Sequence, residues 1–192
     1  MGTDIHWVWE QKTARGWEKI DGLDDSRDYL LFAWLAGVRN GVGFAGVPTH
    51  APITPIAPLR GLPKDTLVRM TKDGDARYGR GKSEKWLGEH SFSWLTAAEI
   101  LAAPGVEVLH RIGVVELGEF HACEAEGRAP RSWSGGIFGP GIVVSEPSSI
   151  TEKTTHVRMT WDDPVPLQWF VDDVKTLQDR YGEVRVLFGF DS

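Results

Sequence analysis

The closing segment "EVRVLFGFDS" places Val184, Val186, Phe188 and Phe190 at every second position. A period of two marks a β-strand with one apolar face, and a one-residue slip in its pairing would turn that face outward. The chain therefore has to build a sheet around this run. The opposite parity carries Arg185, Leu187, Gly189 and Asp191. Before the strand, Leu167, Phe170, Val171, Val174 and Leu177 recur at helical spacing. Asp162 or Asp163 offers a cap, Pro164 suits a first helical position and Gly182 a stop, which predicts a helix opening at Pro164.

The start of the chain offers another strand. "DIHWVWEQKTARGWEKI" reads as a hairpin, with a strand through Glu10 and a turn around Ala14-Arg15-Gly16. Ile5, Trp7 and Trp9 share one face of that strand, and Asp4, His6 and Val8 the other. "DDSRDYLLFAWLAGVRNG" predicts a helix capped by Asp25 or Ser26 and ended by Gly37 or Gly41. Residues 41–63 form an irregular Gly/Pro loop, and residues 71–89 read as a charged loop. In "SWLTAAEILAAPG", Thr96 followed by Glu99 is a capping box. Residues 106–120 suggest a strand pair or one long bent strand, and "IVVSE" and "THVRMTW" further strands. The expected fold is α+β: a largely antiparallel sheet with N- and C-terminal strands adjacent, covered by about three helices, in a single domain of 192 residues.

Charge and cysteine usage narrow the function classes. A net charge of −6 argues against a duplex nucleic acid as partner, yet a small anion needs only two or three placed arginines. A lone cysteine, Cys123, excludes an internal disulfide and fits a reducing cytosol. With no run of 18 apolar residues and no leader-like start, neither a membrane nor a secretory signal is expected, and a cytoplasmic protein is. Nine tryptophans imply an aromatic core or stacking surfaces for flat ligands.

If the first and last strands pair antiparallel, Asp4, His6 and Asp191 converge at one corner, where Gly189 would leave room. Two carboxylates and an imidazole suit a divalent cation, an acid–base set, or an inert clasp. His90, Ser91 and Ser93 in "EHSFSWLT" stand before a helix, where free N–H groups attract anions, unless Ser93 or Thr96 simply caps. Arg27, Arg39 beside Asn40, and Arg60 in "PLRGLP" are suited to bidentate carboxylate or phosphate contacts or to structural ion pairs. "RSWSGGIFGPG" has glycines but lacks phosphate-loop spacing.

In order, "MGTDIH", "SRDYLLFAWLAGVRNG", "PLRGLP", "HSFSWLT" and the ending "FGFDS" resemble the blocks of an uncharacterised family met mostly in tailed bacteriophages and sometimes in bacteria. The likeness spans most of the chain outside 66–88 and 104–162. It selects Asp4, His6, Arg27, Tyr29, Arg39, Asn40, Arg60, His90, Ser91, Ser93, Trp94 and Asp191. Two departures stand out: Phe92 replaces the second histidine of an H-S-H-S pattern, and Leu59 separates Pro58 from Arg60. The resemblance implies a ligand pocket. The resulting expectation is a phage-encoded cytosolic protein that binds a small anionic, nucleotide-like ligand and counters host defence signalling. Arg27, Arg39 and Arg60 would meet the anion, Trp94 or Trp133 would stack on a base, and His90 and Ser91 would donate hydrogen bonds. One alternative is a hydrolase or transferase using Asp4, His6 and Asp191, with His90 beside them, with or without a divalent cation. The other is a protein-binding inhibitor without a pocket. Homo-oligomerisation is left open.

Overall fold

The computed structural model describes residues 2–165 and 167–191, the Phe44 side chain apart. Met1 and Ser192, which begin and end the sequence blocks, and Pro166, inside the expected helix, lie outside the described residues. Among the described residues the chain forms, in order, β1 (Ile5–Thr13), β2 (Gly16–Ile20), α1 (Tyr29–Ala36), β3 (Val68–Met70), β4 (Ala76–Tyr78), β5 (Lys85–Trp86) and β6 (His90–Thr96). There follow α2 (Ala97–Ala102), β7 (Val108–Glu116), α3 (Leu117–Glu126), β8 (Val144–Ser145), β9 (His156–Pro164), α4 (Gln168–Tyr181) and β10 (Val184–Phe190). The fold is α+β, and β1 and β10 pair antiparallel. The chain divides into two compact units, one of Met1–Val38, Thr54–Gly105 and Leu167–Ser192, the other of Arg39–Ile53 and Val106–Pro166.

In the first unit the strands run β2-β1-β10-β6, with Ile5 opposite Phe190 and Glu10 opposite Arg185. The apolar parity of β1 and β10 meets the helices. Trp7 stacks on Phe170 of α4 at 5.9 Å, Trp34 of α1 meets the same ring edge-on at 6.5 Å, and Phe32 meets Phe190 at 5.2 Å. Asp28 caps α1, accepting from the Leu30 and Leu31 amides at 3.0 and 3.1 Å, and Gly37 ends it in the left-handed region at φ 69°. The cap thus sits later than Asp25 or Ser26, because residues 21–28 stay non-helical. α2 begins at the expected capping box of Thr96 and Glu99.

The opposite parity of the sheet is not left to solvent, and all seven residues of β10 are buried. A second sheet, β3-β4-β5, covers it: Val8 packs with Ala76, Tyr78 and Leu87, with Leu62, Val68 and Phe92 around them. The charged stretch 71–89 therefore contains two short strands and part of a core. Residues 41–63 stay irregular apart from a three-residue turn of 3₁₀ helix and isolated bridges.

The second unit is built on β7-β9-β8. β9 runs through Pro164, opposite Val108, so Asp162 and Asp163 sit in a strand and do not cap a helix. Cross-strand pairing holds them there: His110 Nδ1 lies 2.5 Å from Asp162 Oδ1, and Arg111 Nε donates to Asp163 over 2.9 Å. α4 starts only at Gln168. Within residues 106–120 only Val108–Glu116 is strand, the single strand β7, and from Leu117 the chain is helical; α3 is not among the expected helices, so among the described residues there are four α-helices where about three were expected. Phe120 of α3 packs with Val115 and Val157.

Candidate functional site

The chain ends meet as expected. The Asp4 amide donates to Asp191 Oδ1 over 2.7 Å, and His6 Nε2 lies 3.2 Å from Asp191 Oδ2. His6 Nδ1 faces a third carboxylate, Asp25 Oδ2, at 3.4 Å, and Lys85 Nζ holds the other Asp25 oxygen at 2.9 Å. The imidazole is mostly covered, with Trp86 4.6 Å away, ring centre to ring centre. Arg27 clamps both Asp4 oxygens, Nε to Oδ1 at 2.6 Å and Nη2 to Oδ2 at 2.5 Å. That guanidinium holds the Asp4 carboxyl below its ordinary pKa. His90 joins through Nε2, 3.2 Å from the Asp191 carbonyl, and Tyr29 Oη accepts from the Thr3 amide at 3.3 Å.

This corner is a web of compensated charges. Both Asp4 oxygens face Arg27 and both His6 nitrogens face carboxylates. Among the described residues no group of three or more His, Cys, Asp or Glu side chains is placed to hold a metal ion. Gly189 leaves no room for a ligand. A side-chain carbon there would lie 2.2 Å from the Leu87 carbonyl oxygen and 2.5 Å from the Phe92 ring, so glycine admits protein packing.

The other candidates have structural partners. His90 and Ser91 do not precede a helix; they stand at the far end of β6 from α2. Pairing with β10 skips between Phe188 opposite Ser93 and Phe190 opposite His90, which makes a bulge, and Ser91 takes φ 52° there with its hydroxyl 2.9 Å from His90 Nδ1. Ser93 is buried and its hydroxyl accepts from the Arg60 amide at 3.1 Å. Arg60 forms a two-pronged pair with Glu99 at 3.2 and 2.7 Å and lies 5.0 Å over Trp94. Arg39 and Asn40 belong to the second unit. Asn40 clasps the Ile53 backbone with both ends of its amide, at 2.7 and 2.9 Å, while Arg39 reaches the Gly43 carbonyl at 3.5 Å.

Sequence reasoning missed a buried polar network in the first unit. Glu10 is fully buried and Arg185 nearly so, and Arg185 Nε donates to Glu10 Oε2 over 2.7 Å. Tyr78 and Thr66 donate to the other Glu10 oxygen at 2.9 and 2.8 Å. Asp65 takes Arg185 Nη1 at 2.9 Å, and the Trp17 ring lies 4.0 Å from the guanidinium carbon. Burial first, then the Glu10 charge, push the Tyr78 hydroxyl's pKa up. The signal was legible, since the register that joins Asp4 to Asp191 also sets Glu10 against Arg185.

An open cavity lies in the second unit. About 350 Å³ is enclosed by residues that include Val114, Glu119, Ser132, Trp133, Ser134 and His156. Trp133 is 37% exposed on this wall. Gly113 makes room for its indole and that of Trp161, which meet edge-on at 5.2 Å, and the Arg111 guanidinium lies 5.5 Å from the Trp133 ring. Arg128 neutralises Glu119 at 2.7 Å and lowers its pKa to about 2. A neighbouring cavity of about 390 Å³ shares Val114 and Ile137 and adds Phe138 and Arg158. Of the sequence candidates only Trp133 lines these walls.

No family model, curated protein or solved structure matches the chain. No helix among the described residues is long and apolar enough to cross a membrane.

Proposed function

We propose that the protein binds a small, flat, anionic ligand of nucleotide type, seated in the cavity walled by Trp133. The observation that carries this reading is the indole itself: Trp7, Trp9 and Trp34 are buried, whereas Trp133 is partly exposed on a cavity wall and braced by Arg111 and Trp161. Stacking on a fixed indole recognises any base by its π-face. Ser132, Ser134 and His156 offer hydrogen-bonding groups on the same wall, and Arg158 in the adjoining cavity supplies positive charge. The volume suits a mononucleotide. Arg27, Arg60 and Ser93 already engage partners within the first unit, which favours Trp133 over Trp94 as the stacking platform.

In the same reading the protein works in the cytoplasm of an infected cell and withdraws a nucleotide signal from a host defence; the resemblance of its sequence blocks to tailed-phage proteins supports this. The paired charges around His6 favour a clasp between the chain ends over turnover there.

Thermal denaturation against linear and cyclic nucleotides tests the proposal. At least one should raise the midpoint saturably, and Trp133→Ala should weaken that ligand about 5- to 150-fold, the loss expected of one stacked base. No shift across the panel would refute it.

A further inference from the structure

Strand register gives the cavities of the second unit a polarity. In the β7–β9 pairing Glu116 stands opposite His156, and Val114 stands opposite Arg158. Opposed residues share a face of a sheet, as do residues two apart on one strand, so all four side chains leave the same face. Val114, Glu116 and His156 line the cavity of about 350 Å³, while Val114 and Arg158 line its neighbour. The Glu116 carboxylate and the Arg158 guanidinium are thus rooted two residues apart along the strands, roughly 7 Å of rise.

Two carboxylates line the first cavity, and only one is engaged. Glu119 accepts from Arg128 Nη1 and from the Arg131 amide, each at 2.7 Å. Glu116 precedes α3 without capping it, is exposed, and has no hydrogen-bond or ion-pair partner among the described residues. His156 spends Nδ1 on the Thr155 hydroxyl at 2.9 Å, which leaves Nε2 open. Arg158 meets Glu146 at 3.3 Å in an exposed pair that a phosphate can displace.

A ligand that spans these groups needs paired donors at one end and negative charge at the other. Resting on the nucleotide reading above, we infer that the bound nucleotide carries guanine, with its base edge on Glu116 and its phosphate on Arg158. The Watson–Crick edge of guanine sets two donors side by side, N1–H and the 2-amino group, and they match the two oxygens of one carboxylate. Adenine and cytosine place a ring-nitrogen acceptor beside their amino group, and uracil has one N–H between two carbonyls, so each would turn a lone pair toward Glu116. A phosphate at Glu116 would meet a like charge that no cation balances.

Calorimetric titration with guanosine, inosine and adenosine 5′-monophosphates tests it. The guanosine nucleotide should bind about 5- to 150-fold tighter than the adenosine one, the discrimination of one bidentate contact. The inosine nucleotide, which keeps N1–H and lacks the 2-amino group, should fall between them. Glu116→Gln exchanges one acceptor for a donor at an exposed position and should erase the preference, whereas Arg158→Gln should weaken all three alike. Equal affinity for the three bases, a guanine preference that survives Glu116→Gln, or affinities untouched by Arg158→Gln would overturn the assignment and leave the nucleotide reading standing. Failure of all three to bind would overturn it as well, and silence across the wider nucleotide panel would remove the reading it rests on.

Discussion

The Asp4 amide donates to the Asp191 carboxylate over 2.7 Å, although the two residues lie 187 positions apart. Asp191 also meets His6, so one side chain ties the end of the chain to two residues of the first strand. Asp191→Ala should lower unfolding stability by about 1–2 kcal/mol, the range for losing a partly buried charged acceptor. Asp191→Asn, which keeps an acceptor for the amide, should lose less. Urea unfolding of the three proteins measures this.

Arg185 and Glu10 carry charge inside the first unit, with donors and acceptors matched. Arg185→Met leaves the Glu10 carboxylate buried without its cation and should cost about 3–5 kcal/mol. Adding Glu10→Leu should recover part of that loss. A double-mutant cycle by chemical denaturation reads the coupling directly.

Gly189 lets the Leu87 carbonyl and the Phe92 ring close on β10. Gly189→Ala forces backbone apart, so its thermal midpoint should fall by more than that of Gly105→Ala, where a side-chain carbon meets nothing within 4 Å.

Glu99 carries a pH dependence. Hydrogen bonds from Arg60 first, with those from Thr96, bring its carboxyl down to about 2 from an ordinary 4.5. Because the folded value is the lower one, the stabilisation is complete above about pH 4.5 and disappears as pH falls toward 2. The stability gap between the native protein and Glu99→Gln, measured by denaturation at pH 6, 4 and 2.5, should therefore shrink with acid. The side chain is partly exposed, so added salt should shrink it too.

Strand parity made much of this visible beforehand. The alternation in Val184, Val186, Phe188 and Phe190 and in Ile5, Trp7 and Trp9 predicts the two strands and their apolar faces; their adjacency is a supposition that the structure shows, and antiparallel pairing brings Asp4, His6 and Asp191 together. Parity says nothing about what covers the second face, so residues 71–89, rich in charge, hid strands whose few apolar residues, Ala76, Tyr78 and Leu87, seal that face. Asp162-Asp163-Pro164 imitates a helix start, but long-range pairing with His110 and Arg111 overrode the local signal. α3 escaped notice because it buries little beyond Phe120 and Cys123, one helical turn apart. Arginines suited to phosphate are equally suited to carboxylates, and only the folded chain places Asp4 beside Arg27 and Glu99 beside Arg60.

The central claim concerns one indole. With 5-fluorotryptophan in place of tryptophan, ¹⁹F NMR resolves each ring, and loss of one line in Trp133→Phe assigns Trp133. A nucleotide from the panel should move the Trp133 line saturably and leave those of buried Trp7 and Trp34 in place. A Trp133 line that stays fixed at saturating nucleotide, or a shift confined to Trp94, would contradict the account.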